Sequence, residues 1–155
     1  MRTKKAKKRI IEADPVYKSR AVERFIHTIM YDGKKSLARK IVYDSMSKLN
    51  EDSKEALKMF EQAMKNVTPS QEVRSRRVGG ATYQVPMPLK HDRAEALAMR
   101  WIVDSARKKS GKPMVDRLFE ELRSAVDGSG DAIKKKEDTH RMADANRAFA
   151  HFARF

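Results

Sequence analysis

The residue types that most often carry out reactions are present in this chain, but their spacing assembles none. His27, His91, His140 and His151 are the only histidines, and no two have the spacing of a metal-binding pair; His140 and His151 stand too far apart along a helix to share a ligand. Cysteine is absent, which excludes thiolate metal sites and disulfides and fits a reducing compartment. A phosphate-cradling loop needs several glycines followed by Lys and Ser or Thr, and neither Gly79-Gly80 nor Gly128-Ser129-Gly130 continues that way. Glu120-Glu121 and Glu137-Asp138 are adjacent residues that leave a helix in different directions, as solvated charges do, and not as a general acid and base. The expectation is a protein that is no enzyme and needs no metal and no cofactor.

The chemistry on offer is that of cations. RSRRVGGATYQVP, from Arg74 to Pro86, reads as two extended runs joined by Gly79-Gly80, since glycine reaches the positive φ of a tight turn without a Cβ clash. With those glycines as the turn, Val78 faces Ala81, Arg77 faces Thr82, Arg76 faces Tyr83, Ser75 faces Gln84 and Arg74 faces Val85. One face then carries Arg74, Arg76, Val78, Ala81, Tyr83 and Val85, the other Val73, Ser75, Arg77, Thr82 and Gln84, and neither reads as core. A projecting ribbon of guanidiniums beside an aromatic ring suits phosphate grip and base stacking.

More cations collect elsewhere. Lys34 and Lys35 sit at a helix junction, Arg107, Lys108 and Lys109 crowd one helix end, and Lys134, Lys135 and Lys136 crowd a helix start. The second group also offsets a helix dipole, whereas the third opposes one, which a bound polyanion would explain. The stretch from Met1 to Arg9 adds Arg2, Lys4, Lys5, Lys7, Lys8 and Arg9 and holds no acid, so the tail, taken over residues 1–13, cannot collapse alone and can order on a polyanion. The formal net charge of the 155 residues is +14. That field favours nucleic acid; a membrane surface fits less well, because the charge is spread over tail, ribbon and several helices and not along one amphipathic face. No secretory leader and no membrane-length apolar run is evident, so cytosol is the plain location.

The elements that must position these groups are mostly helical. Val22, Phe25, Ile26, Ile29 and Met30 form one apolar stripe, with Gly33 placed to end that helix. Ser36 can cap a second helix with Leu37, Ile41, Val42 and Leu49 inward, and Ser53 a third with Leu57, Phe60, Met64 and Val67, stopped at Thr68-Pro69. After the ribbon near 73–86, where Pro86 and Pro88 break pairing, Asp92 and Glu95 form a capping box for a fourth helix bearing Leu97, Trp101, Ile102 and Ser105. Ser110-Gly111 ends it, and a first-turn Pro113 opens a fifth with Val115, Leu118, Phe119, Leu122 and Val126. A last helix carries Met142, Ala145, Phe149 and Phe152. The reading is a mainly α protein: one helical domain over residues 14–155, about six helices, with one extended β-hairpin between the third and fourth.

VRSRRVGGATYQVP from Val73, AMRWIVDSARKKSGKPM from Ala98, IKKKEDTHRMADANRAFAHF from Ile133 and MYDGKKSLA from Met30 together resemble the bacterial-type family of small-subunit ribosomal protein seven. The resemblance covers the chain from about Asp14 onward. It implies a structural RNA-binding protein, a primary binder of the 3′ major domain of 16S-type ribosomal RNA that organises the head of the small subunit. It also implies a place near exit-site transfer RNA and the messenger path, and contact with small-subunit ribosomal protein eleven. Carried over, Arg74, Arg76, Arg77, Lys34, Lys35, Lys108 and Lys134 to Lys136 become candidate ribosomal RNA contacts, with Gly79, Gly80, Tyr83, Arg141 and Asn146 towards the transfer RNA and messenger. A rival reading from the residues is a nucleoid-type DNA architectural protein, but such arms act in dimers and carry an apolar wedge where this tip has two glycines.

Overall fold

The computed structural model of the chain describes residues 9–154. In chain order the elements are α1 (Arg20–Ile29), α2 (Lys35–Leu49), α3 (Ser53–Val67), β1 (Gln71–Val78), β2 (Ala81–Pro88), α4 (His91–Lys108), α5 (Met114–Val126), α6 (Asp131–Ala145) and a 3-10 segment, Arg147–Arg154. The mainly helical class and the ribbon between α3 and α4 agree with the sequence reading. Of the tail, Arg2, Lys4, Lys5, Lys7 and Lys8 lie outside the described residues, and Arg9 is exposed. No described helix is long and apolar enough to cross a membrane.

The core forms where the buried faces of six helices meet, with Phe25 edge-on to Phe60 at a ring distance of 5.2 Å. α1 buries Val22, Phe25, Ile26 and Ile29 as expected. On α2 the buried face is Ala38, Val42, Ser45 and Met46, one step round from the expected stripe, and Leu37 is exposed. The small Ala38 and Ser45 are what let that helix approach its neighbours. α4 buries Ala94, Ala98, Met99, Trp101, Ile102, Val103, Ser105 and Ala106, close to a core helix enclosed on most sides.

The helix starts differ from the sequence reading. Lys34 and Lys90 are the N-caps of α2 and α4 with no side-chain bond, and Asp52, one residue before Ser53, accepts from the Lys54 amide at 3.0 Å to cap α3. Asp92 lies inside the first turn of α4, and Glu95 pairs with Arg24 across to α1, so there is no capping box. Pro113 is the N-cap of α5 and not its first residue. Gly33 is left-handed, but in the turn before α2, three residues beyond the Met30 that caps α1.

At the entrance to α1, buried Asp14 accepts from the amides of Val16 and Tyr17 at 3.0 and 2.9 Å and from the Tyr43 hydroxyl at 2.6 Å. Burial, and then that bond to a carboxylate, push the Tyr43 phenol up to about 12. A folded-state value above the ordinary one near 10 means that the contact stabilises below about pH 10 and is lost as pH rises towards 12. Alkaline titration followed by tyrosinate absorbance is expected to show a phenol ionising near pH 12 that Tyr43→Phe removes. A curve unaltered by that substitution would refute the contact.

Candidate nucleic-acid interface

The ribbon has the expected register at every pair from Val78↔Ala81 to Arg74↔Val85, and it continues past Val73↔Pro86 to Gln71↔Pro88. The prolines do not interrupt it. In a two-residue hairpin the closing pair is hydrogen-bonded and pairs alternate outward, which leaves Pro86 and Pro88 at positions whose missing N–H faces away from the partner strand. Gly79 and Gly80 make the turn at φ 56° and 89°, and a Cβ added at either would meet nothing.

The idea of a ribbon with no face to bury needs correcting. Val85 is fully buried, Glu72 is 8% exposed, and Tyr83 packs its ring at a tilt against Phe149 and Phe152, with ring centroids 5.2 and 5.0 Å away. The face holding Glu72, Tyr83 and Val85 lies against the body, while Ser75, Arg77, Thr82 and Gln84 on the other are exposed. At the base, the Ser70 amide donates to His140 Nε2 at 3.1 Å and Gln71 Nε2 donates to Asp144 Oδ1 at 3.2 Å, tying the ribbon to α6. Phe149 and Phe152, expected on the last helix, belong to the 3-10 segment, and Met142 of α6 is exposed. The reason is the turn at Asn146, whose side chain donates to the Met142 carbonyl at 2.7 Å as α6 ends.

Many of the candidate cations turn out to have partners within the fold. Lys35 pairs with Glu23 at 2.5 Å, a bond that holds the Glu23 carboxyl below the usual carboxylate range. Arg74 reaches Glu72 at 2.5 Å, beside a two-pronged contact from Arg93 at 2.8 to 3.0 Å. Burial alone would raise Glu72, but the bonds from Arg93 and then Arg74 more than offset it, and its pKa is lowered. Arg107 donates to the Ile29 carbonyl at 3.0 Å and Lys136 to the Asn66 carbonyl at 2.6 Å, so both satisfy carbonyls near the ends of other helices. Arg141 pairs with Asp138 at 2.8 Å on the exposed side of α6.

Glu121 is the acid the sequence reading misplaced. Its neighbour Glu120 is a solvated charge bonded to Lys112, but Glu121 is fully buried. One oxygen accepts from the Ala132 amide at 2.9 Å and the other meets Lys109 at 2.9 Å, so a single carboxylate joins the end of α4 to the start of α6 from its seat on α5. The positive charge of Lys134 to Lys136 at that helix start therefore has an internal counterweight.

What remains is a set of cations with no partner among the described residues: Lys34, Arg76, Arg77, Lys108, Lys134 and Lys135. Arg76 is half-buried and the others exposed. Lys34 and Arg107, distant in sequence, line one cavity of about 310 Å³ with Tyr31, Leu37 and Arg117. The carboxylate of Glu121 brings the Lys108 and Lys134 clusters to neighbouring helix ends. Sequence reasoning missed Arg20 and Arg24, which line a groove of about 590 Å³ with Arg9 and Asp92. Their spacing of four residues, off the apolar stripe of α1, was the available signal.

The candidate cations without an internal partner among the described residues are thus scattered over the surface of a helical core. The sequence profile of ribosomal protein S7p/S5e matches residues 1–147. The chain belongs to that family. It is 53% identical over 153 residues to the small ribosomal subunit protein uS7 of Fervidobacterium nodosum, a match covering 98% of this chain and 99% of the relative. The protein of the same name from Thermosipho melanesiensis is 54% identical over 153 residues, with the same coverage of both chains. That from Pelagibacter ubique is 49% identical over 152 residues, covering 97% of each. The S7p/S5e family is one of structural ribosomal proteins and not of enzymes, and membership implies RNA binding in translation.

Proposed function

We propose that this chain is a structural protein of the small ribosomal subunit and a primary binder of the 3′ major domain of its 16S-type RNA, organising the assembly of the subunit head. The observation that carries the reading is the set of cations with no partner among the described residues, Lys34, Arg76, Arg77, Lys108, Lys134 and Lys135, spread over a helix junction, the ribbon and two helix ends. Separated patches of this kind suit recognition of folded RNA by backbone and shape, bridging RNA helices that repel one another. The distal ribbon, with Gly79 and Gly80 open for close backbone approach, and the α6 end with Arg141 and Asn146 would face the exit-site transfer RNA and the messenger path. Small-subunit ribosomal protein eleven is the protein neighbour in this reading, and the location is the cytoplasm, within the ribosome.

Chemical footprinting of the small-subunit RNA with and without the protein tests this directly. Protection within the 3′ major domain is the expected result; protection elsewhere, or equal competition by duplex DNA, would overturn it. Replacing both Arg76 and Arg77 by alanine is expected to weaken RNA binding about tenfold or more, ~1.4 kcal/mol upward. Melting should shift little, because neither guanidinium has a partner among the described residues. Arg74→Ala should affect both, since it also loses Glu72.

A further inference from the structure

Resting on the reading that the ribbon arginines meet RNA, we propose that Phe149 and Phe152 are positioning residues for them, acting through Tyr83. The base of the ribbon is held without these rings, by Val85 in a buried seat, by Glu72 with Arg93, and by Ser70 and Gln71 on α6. Further out, its contact with the body is the ring cluster of Tyr83, Phe149 and Phe152. Tyr83 stands opposite Arg76, and past it only the pairs Arg77↔Thr82 and Val78↔Ala81 and the glycine turn remain.

The rings therefore set where the free arm begins. With them in place the arm starts just beyond Arg76; without them it starts beyond Val85, which adds Arg76↔Tyr83 and Ser75↔Gln84, about 7 Å of unsupported strand at 3.3 Å per residue. A two-stranded ribbon that length, with no third strand, bends and twists readily. Arg76 and Arg77 would then sample many directions, and RNA would have to select one of them, which lowers apparent affinity by the fraction correctly oriented. The rings stand apart from the main core, so ribbon direction can be altered without dismantling the helices. Asn146 completes the device: its carbonyl accepts from the Phe149 amide at 3.0 Å, which starts the 3-10 segment in the turn that leads both phenylalanines to Tyr83.

The chain has no cysteine, so spin labels can be placed at Lys40→Cys on α2 and Thr82→Cys on β2, both exposed. In the full chain, replacing Phe149 and Phe152 by alanine is expected to broaden the distance distribution between the labels while leaving helical melting close to that of the parent. Without labels, the same variant should bind a 3′ major domain RNA fragment about tenfold more weakly, with the magnitude of the salt slope lowered by about one to two phosphate contacts. Adding Arg76→Ala and Arg77→Ala to it should cost little more, because those side chains are already misdirected. Leucine at both positions should restore part of the affinity by keeping an apolar contact. A distribution that does not broaden overturns the proposal, as does a broadened one with unchanged affinity. Full additivity with the arginine substitutions also overturns it, since the rings would then touch RNA themselves. If the arginine substitutions alone leave binding unchanged, the ribbon reading itself fails and the proposal falls with it, a result distinct from a failure of the phenylalanine variants alone.

Discussion

Raising monovalent salt from 50 to 200 mM is expected to weaken binding to a 3′ major domain RNA fragment roughly 10³-fold to 10⁵-fold, the range for about six to ten phosphate contacts. In the proposed reading the described residues would supply the lower end of that count through Lys34, Arg76, Arg77, Lys108, Lys134 and Lys135, and Arg9 with the basic residues of the tail would supply the rest. Each phosphate neutralised releases condensed counterion, so the logarithm of affinity should fall linearly with the logarithm of salt. Removing one of the unpartnered lysines should lower the magnitude of the slope by about 0.7 to 0.9. Lys35 and Lys109 should behave differently, because their ammonium groups are engaged with Glu23 and Glu121 and replacing them should lower melting temperature first. A flat salt response in filter binding would show that phosphate contact is not the source of affinity.

Glu121→Ala is expected to be the most destabilising single change at a charged position. The carboxylate is fully buried and holds both the Ala132 amide and Lys109. Removing one partner of a buried pair usually costs about 3–5 kcal/mol, and the lower end applies here because Lys109 keeps some access to water. For a chain of this size, about 3 kcal/mol corresponds to a melting temperature lower by roughly 6–12 °C. Gly130→Ala should act on the same junction, since φ there is 98° and a Cβ would come within 3.0 Å of Ser124 Cβ and 3.2 Å of the Glu121 carboxylate. Glu121→Gln keeps an acceptor for the amide and loses the charge, so it should fall between the parent and Glu121→Ala. Calorimetry of the three variants checks the order, and a shift below about 2 °C for Glu121→Ala would show that the helices meet without the carboxylate.

Cations that hold the protein together are thus distinct from cations with no partner among the described residues, a division invisible along the chain. Lys34 and Lys35 are neighbours in sequence, yet one has no partner among the described residues and the other is bonded to a buried acid on α1. The same holds for Lys108 against Lys109, and for Lys134 and Lys135 against Lys136. A helix turns about 100° per residue, so consecutive side chains face different surroundings, and what they face depends on elements far away in the chain.

The sequence by itself determined what local rules control. Periodicity placed the first five helices, because an apolar stripe at 3.6-residue spacing has to be buried, and it failed at the last, whose expected stripe of Met142, Ala145, Phe149 and Phe152 is split between α6 and the 3-10 segment. Two glycines between extended runs set the ribbon's register, because few other residues fit that turn. Ordered motifs such as VRSRRVGGATYQVP and the net charge of +14 indicated the family and the polyanion. Tertiary structure alone decided which acids were buried, since Glu120 and Glu121 are the same residue type side by side and only packing puts one at the junction of three helices. It also decided that the ribbon is docked at Tyr83, because the rings that receive it lie more than sixty positions further along the chain, beyond the reach of any local pattern.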